Sequence, residues 1–108
     1  MVVTLPLLKR VMPRELLSDE AVDQALSELD WTREEGVLVK RLTLTDFMAA
    51  IVYVNRVADL AEALDHHPDI TISWNKVTLH LSTHDAGGLT GADLALAKAI
   101  DAMAAPLV

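Results

Sequence analysis

The sequence contains no cysteine, few aromatic residues and no long apolar run. Without cysteine the chain has no disulfide, no thiolate nucleophile and no cysteine-based zinc site, and it fits a reducing compartment. No apolar run approaches the roughly 18 to 20 residues that cross a bilayer. Residues 1–8 carry no basic charge before their apolar stretch and Lys9 and Arg10 follow it, the reverse of a secretory signal. We therefore expect a soluble, cytoplasmic protein that does not bind membranes.

Basic residues are also scarce, since 9 lysines and arginines face 16 acids and give a formal net charge of −7. A surface of this charge repels phosphate backbones. We therefore expect no direct binding to DNA or RNA.

The length of 108 residues and the hydrophobic content of 52% predict one domain over residues 1–108 with one core. A domain of this size leaves much of its surface exposed and often gains stability by forming oligomers.

Capping residues and apolar periodicity predict helices and strands in alternation. The predicted helices cover 18–30 behind a Ser18 cap, 47–64 behind a Thr45 cap and 91–103 behind a Thr90 cap. The predicted strands cover 31–33, 37–44, 70–74 and 76–84. Residues 1–17 are predicted to form an irregular arm, because Pro6 and Pro13 interrupt any long helix. The order αββαββα predicts an α+β fold, a four-stranded antiparallel sheet with three helices packed on one face.

The long central helix carries two adjacent apolar stripes. The first consists of Phe47, Ile51, Val54, Ala58 and Ala61, and the second of Tyr53, Val57, Leu60 and Leu64. One sheet face needs only one stripe, so we expect the first to cover the sheet and the second to be a candidate interface in a homodimer or homotetramer. A helix packed deeply within its own monomer explains the pattern equally well.

Three of the four histidines fall within one regular pattern. It runs Glu62, three residues, His66-His67-Pro68, five residues, Trp74, nine residues, His84, eight residues and Asp93. This spacing resembles the signature of the pterin-4a-carbinolamine dehydratases, and the resemblance extends over Leu64-Asp65, Asn75-Lys76-Val77 and Leu81-Ser82-Thr83. It fades before about Trp31.

The resemblance implies a lyase that converts a 4a-hydroxytetrahydropterin to a quinonoid dihydropterin and water during pterin recycling. It implies His66, His67 and His84 as catalytic residues, Glu62, Pro68, Trp74 and Asp93 as supporting or substrate-binding residues, and no metal or organic cofactor. The predicted fold agrees with that of the family. The alternative is a non-catalytic dimerisation cofactor or assembly factor that binds a partner protein through the central helix.

The chemistry of a carbinolamine suits histidine, because loss of water needs a proton given to the leaving oxygen and one taken from the ring nitrogen. Imidazole populates both forms near neutrality. Which histidine is the acid and which the base stays open. Glu62 lies one helical turn before His66 and is expected to orient that ring, although an ordinary exposed acid is equally consistent.

Two supporting residues have structural alternatives. Thr90-Gly91-Ala92-Asp93 has the spacing of a capping box, so the Asp93 carboxylate is expected to bind the Thr90 amide whether or not it also supports catalysis. Trp74 is either a flat wall beside a pterin ring or a core or interface residue.

A metal site is not expected. His80 shares a predicted strand face with His84, but four residues at about 3.3 Å each place the two roughly 13 Å apart along a strand, too far for one zinc ion. His66 and His67 are adjacent, so both rings rarely reach one ion.

Overall fold

The computed structural model describes residues 15–103. Its helices are α1 (Asp19–Leu26), α2 (Phe47–Leu64) and α3 (Gly91–Ala102), and its strands are β1 (Thr32–Glu34), β2 (Val37–Thr43), β3 (Asp69–Ser73) and β4 (Lys76–Leu81). The strands form one antiparallel sheet in the order β1-β2-β4-β3. The predicted α+β fold with the order αββαββα is confirmed. No helix within residues 15–103 is long and apolar enough to cross a membrane.

The predicted arm falls mostly outside the described residues, which begin at Glu15. Leu16 forms an antiparallel bridge to Thr90, and the Leu17 amide donates to the Leu89 carbonyl at 2.9 Å. A Cβ atom on Gly88 would lie 2.9 Å from Leu16 Cδ2, so a larger residue there would displace the end of the Leu16 side chain. The chain before α1 therefore lies against the segment that leads into α3.

Helix caps follow the predictions at two of three starts. The Ser18 hydroxyl accepts from the Ala21 amide at 3.1 Å, and Thr90 caps α3 as part of a capping box. The predicted Thr45 cap of α2 is wrong. Asp46 has an extended backbone and its carboxylate accepts from the Ala49 amide at 2.8 Å. A carboxylate caps as well as a hydroxyl does, so the residue adjoining the first helical position takes the role.

The fourth strand ends earlier than predicted. β4 stops at Leu81, Thr83 then bridges Gly88 with an amide-to-carbonyl distance of 2.8 Å, and a 3-10 turn covers His84–Ala86. His84 therefore does not continue the strand face of His80, as the sequence pattern had indicated. Gly87 closes the turn at φ 77°, a conformation that glycine adopts without strain.

The core lies between the sheet and the helices, and α2 turns a different face to it than predicted. The sheet contributes Leu38, Val77, Leu79 and Leu81, Leu44 follows β2, and the buried residues of α2 are Ala50, Tyr53, Val57 and Ala61. Tyr53 and Val57 were assigned to an interface, and Leu60 and Leu64 also pack against this core. Of the stripe assigned to the sheet, Phe47 is 47% exposed and Ala58 is also exposed. The assignment of the second stripe to an interface is therefore wrong, and the alternative of a helix packed deeply within its own monomer is confirmed, with Val54 and Ala61 of the first stripe also packed against the core.

A buried lysine ties the sheet to the end of α3. Lys40 is 8% exposed, and its Nζ donates to the carbonyl and carboxylate of Asp30, both at 3.1 Å. The same Nζ lies 3.0 Å from Asp101 Oδ1, which also accepts from Trp31 Nε1 at 3.0 Å. The charge is thus paired on the helix-facing side of the sheet, as a buried charge requires.

Tyr53 is the only tyrosine of the chain, and its side chain is buried in this core at 2% exposure. Its hydroxyl has no hydrogen-bond partner among the described residues. Burial, with smaller contributions from the negative charges of Asp101 and Asp30, raises the pKa of Tyr53 from 10.0 to about 12.

We expect Tyr53→Phe to leave the free energy of unfolding unchanged or to raise it by about 1 kcal/mol, because it removes an unpaired buried hydroxyl. Tyr53→Ala should lower it by about 3 to 5 kcal/mol through the cavity it leaves. The unfolded phenol ionises above pH 10.0 while the folded one keeps its proton up to about 12, so stability should fall over that interval in the wild type and not in Tyr53→Phe. Denaturant unfolding at several pH values measures the stabilities. Ultraviolet titration of the single phenol measures its ionisation. A clear loss of stability in Tyr53→Phe would contradict the expectation.

Candidate active site

The sheet topology brings His66, His67 and His84 to one end of the fold. β3 and β4 are antiparallel neighbours in a register that pairs Asp69 with His80. The two residues before Pro68 therefore lie beside the chain that leaves β4 toward His84. Helix α3 begins just after the 84–88 turn and places Asp93 in its first turn. Four of the predicted site residues thus come from the end of α2, the exit of β4 and the start of α3.

His66 forms a buried pair with Asp93. Its Nε2 lies 2.6 Å from Asp93 Oδ1, and the two side chains are 7% and 0% exposed. Asp93 Oδ2 accepts from the Thr90 amide at 2.9 Å and from the Thr83 hydroxyl at 2.8 Å. The predicted capping box is therefore present, and the same carboxylate holds an imidazole. Asp93 therefore caps α3 and contacts His66 at the same time.

The end of α2 determines where the two adjacent histidines go. Asp65 adopts a left-handed conformation, φ 53° and ψ 43°, and its amide donates to the carbonyls of Ala61 and Glu62. The His66 amide then donates back to the Ala61 carbonyl at 3.1 Å, as in a Schellman ending. This turn carries the His66 ring inward to α3 and leaves the next ring outside.

His67 and Glu62 form an exposed counterpart of the buried His66–Asp93 pair. His67 Nε2 lies 2.6 Å from Glu62 Oε2, and the two side chains are 58% and 78% exposed. The prediction that Glu62 orients His66 is wrong: Glu62 contacts His67 instead. The left-handed residue at Asp65 breaks the helical spacing on which that prediction depended.

His84 is exposed at the start of the 3-10 turn. Thr83, the residue before it, is 5% exposed and anchors this turn, because its carbonyl accepts from the amides of Ala86 and Gly87 at 3.1 and 3.0 Å. Sequence reasoning did not single out Thr83. Two signals in the sequence were available. Thr83 continues the alternation of Val77, Leu79 and Leu81 beyond the end of β4, and it directly precedes His84.

Trp74 is not brought to the histidines within one chain. It lies in the β3–β4 turn with φ 55° and is 68% exposed. The five residues of β3 lie between it and Pro68, and at about 3.3 Å each they alone span roughly 16 Å. Pro68 itself is half-buried just before β3, where it keeps the preceding residue out of the helical conformation.

His80 lies on the sheet face opposite the helices, since Val77, Leu79 and Leu81 take the buried positions of β4. On that face Arg41 binds Glu34 at 2.7 and 3.1 Å, and these hydrogen bonds are the main cause that lowers the pKa of Glu34 from 4.5 to about 2. Across residues 15–103, no group of three or more histidine, cysteine, aspartate or glutamate side chains is arranged to hold a metal ion.

The arrangement provides groups for proton transfer. Two imidazoles each contact a carboxylate, one pair buried and one exposed, and a third imidazole is exposed at the same end. Positioned imidazoles are the usual general acids and bases near neutrality.

The sequence model of the pterin 4 alpha carbinolamine dehydratase family matches residues 15–103. The chain belongs to this family. Since the match begins at residue 15, the expectation that the resemblance fades before about Trp31 is wrong. A relative from Nocardia farcinica, provisionally named a pterin-4-alpha-carbinolamine dehydratase, is 52% identical over 94 residues, covering 86% of this chain and 99% of that protein. One from Roseiflexus castenholzii with the same provisional name is 54% identical over 87 residues, 80% of this chain and 94% of that protein.

Solved structures resemble the fold as well. A Brucella melitensis protein described as a transcriptional coactivator/pterin dehydratase superimposes with a TM-score of 0.77 at 29% identity, over 82% of this chain and 98% of that chain. A pterin dehydratase-like protein described as a RuBisCO assembly factor in the alpha-carboxysome gives 0.56 at 23% identity, over 72% and 90%. The second likeness is one of fold alone.

The His66–Asp93 pair is buried and the His67–Glu62 pair is exposed, so we expect removal of the two carboxylates to change stability unequally. Asp93→Ala should lower the free energy of unfolding by about 3 to 5 kcal/mol, because it leaves buried donors without an acceptor and removes a helix cap. Glu62→Ala, the matched control at the exposed pair, should change it by less than about 1 kcal/mol. Denaturant unfolding of both variants measures the difference. Equal losses in the free energy of unfolding would contradict the expectation that the buried pair contributes more to stability than the exposed one.

Proposed function

We propose that the protein dehydrates 4a-hydroxytetrahydropterins to quinonoid dihydropterins in pterin recycling. The observation that carries the proposal is that His66 and His67 each contact a carboxylate just before β3, while His84 follows β4, the antiparallel neighbour of β3. Membership of the pterin 4 alpha carbinolamine dehydratase family supports the same reaction.

The exposure of the imidazoles divides their proposed roles. His67 and His84 are exposed and so are accessible to a bound pterin, whereas the side chain of His66 is 7% exposed. We assign proton transfer to His67 and His84: one gives a proton to the leaving hydroxyl and the other takes one from the adjacent ring nitrogen. Glu62 orients His67. His66, which the sequence pattern had indicated as catalytic, instead holds the segment before β3 in place through Asp93.

This division requires only acid and base groups, so the proposed reaction needs no metal or organic cofactor. The enzyme holds the same number of protons before and after the reaction. One imidazole gives a proton to the leaving oxygen, the other receives one from the ring nitrogen, and the substrate loses one molecule of water.

We expect His67→Ala and His84→Ala each to reduce the initial rate of carbinolamine dehydration by about 10² to 10⁴-fold, the usual contribution of a positioned acid or base. Circular dichroism should match the wild type, because both side chains are exposed. His80→Ala is the matched control, a histidine on the opposite sheet face, and should retain the wild-type rate. Wild-type rates in both folded variants would overturn the assignment.

The exposed face of α2 supports a second part of the proposal, a homodimer or homotetramer. Large apolar side chains are exposed at one end of the fold; they are Phe47 at 47%, Met48 at 64%, Val52 at 46% and Trp74 at 68%. The Leu44 amide donates to the Asn75 carbonyl at 2.7 Å, which places the hairpin turn that holds Trp74 beside the start of α2. We call these four residues the α2 patch. Such patches on small domains usually mark interfaces.

We propose that a second copy of the chain covers the α2 patch. A two-fold interface joins the same surface of both subunits, so an apolar patch is its own complement. Arg56 and Asp59 are exposed on the following turns of α2 and supply opposite charges that two copies can pair. The patch lies at the hairpin end of the sheet, so its burial leaves the histidines accessible.

We expect Val52→Glu to dissociate the oligomer at micromolar concentration while the subunit stays folded, because it places an unpaired charge in an apolar contact. Leu60→Glu is the matched control on the same helix. Its side chain packs against the monomer core, so it should lower the melting temperature instead. Light scattering and thermal unfolding separate the two effects. A monomeric wild type would refute self-association and favour the alternative function, a module that binds a different protein through this face.

A further inference from the structure

Two buried threonine hydroxyls lie directly behind the candidate site. Thr83 Oγ1 is 2.8 Å from Asp93 Oδ2 and 2.8 Å from Thr90 Oγ1, and Thr90 Oγ1 accepts from the Ala92 amide at 3.2 Å. Thr83 is 5% exposed, and Thr90 and Asp93 are 0% exposed. These contacts form one continuous chain of hydrogen bonds that ends at His66.

The direction of each hydrogen bond follows by elimination. An ionised Asp93 only accepts, so the Thr83 hydroxyl donates to it. With its one hydrogen used, Thr83 can only accept from Thr90, so the Thr90 hydroxyl donates to Thr83. Asp93 Oδ1 likewise accepts from His66, which requires a proton on Nε2 of that ring. The chain therefore runs from the Ala92 amide through both hydroxyls to the carboxylate, whose other oxygen lies 2.6 Å from Nε2 of His66.

Thr83 also determines the path of the chain at His84. Its amide donates to the Gly88 carbonyl at 2.8 Å, and its carbonyl accepts from Ala86 and Gly87. The side chain of this one residue thus holds the partner of His66, while its backbone holds the turn that begins at His84.

We propose that Thr83 is a positioning residue that couples the placement of His66 to that of His84. This inference rests on the proposed dehydratase function. Without the hydroxyl, Asp93 Oδ2 retains only the Thr90 amide, and the Thr90 hydroxyl loses its acceptor. Asp93 can then shift, so it no longer holds the His66 ring or the chain that leaves β4 in one position. Thr83 touches no reacting atom and acts through its neighbours.

The test compares Thr83→Val, which removes the hydroxyl at similar volume, with Thr83→Ser, which keeps it. Thr71→Val is the matched control, an exposed strand threonine on β3. We expect Thr83→Val to lower kcat by about 10 to 100-fold, the usual effect of removing an outer hydrogen-bonding partner of a site, with a much smaller change in KM. Thr83→Ser should restore most of kcat, and Thr71→Val should match the wild type.

Ring nitrogen NMR provides a readout that does not depend on activity. Signals of His66 are assigned by their persistence in the His67→Ala, His80→Ala and His84→Ala proteins. The wild type should show a protonated Nε2 on His66, Thr83→Val should shift these signals, and Thr83→Ser should retain them.

An unprotonated Nε2 in the folded wild type would overturn the inference without any variant at position 83, which covers the case in which Thr83→Val does not fold. A folded Thr83→Val protein with wild-type kcat and unchanged His66 signals would overturn it too. If the wild type fails to dehydrate the carbinolamine, the proposed function falls, while the ring signals still decide whether Thr83 positions His66.

Discussion

The rest of the candidate site depends on the hydrogen bonds that the buried Asp93 carboxylate forms. A fully buried carboxylate is tolerated only when its oxygens are hydrogen-bonded, and here the donors come from three parts of the chain. The Thr90 amide fixes the start of α3, the Thr83 hydroxyl fixes the exit of β4, and the His66 ring fixes the segment after α2. The need to satisfy one buried charge thus brings together elements that are distant in sequence.

The two histidine–carboxylate pairs show that distance alone does not describe an ion pair. Both have a nitrogen-to-oxygen distance of 2.6 Å, yet one is nearly excluded from solvent and the other is open to it. Water and salt screen the exposed pair of Glu62 and His67, so its contribution to folding is small. The buried pair is held by further hydrogen bonds to Asp93 from Thr83 and Thr90. The adjacent histidines therefore lie in different surroundings, although their sequence positions differ by one.

Local chemistry in the sequence was enough to predict the order of elements, the Ser18 and Thr90 caps and the capping box at Asp93. What it could not predict depended on long-range packing or on one unusual backbone angle. The left-handed conformation of Asp65 moved Glu62 from His66 to His67, and no residue type there required it. The buried face of α2 was set by where Leu38, Val77 and their neighbours met the helix, since two adjacent apolar stripes fit a sheet almost equally well. Trp74 belongs to the family pattern by spacing, but the length of β3 keeps it from the histidines of its own chain.

The dual use of the α3 cap limits how this protein can be made more stable. The starts of α1 and α2 are exposed, and their capping residues Ser18 and Asp46 contact only their own helices in the hydrogen bonds described, so a protein engineer can exchange them among good capping residues. At Thr90 and Asp93 the same exchange would alter the support of His66. Thermostability can therefore be sought at two helix starts of this fold, while the third is tied to the placement of His66.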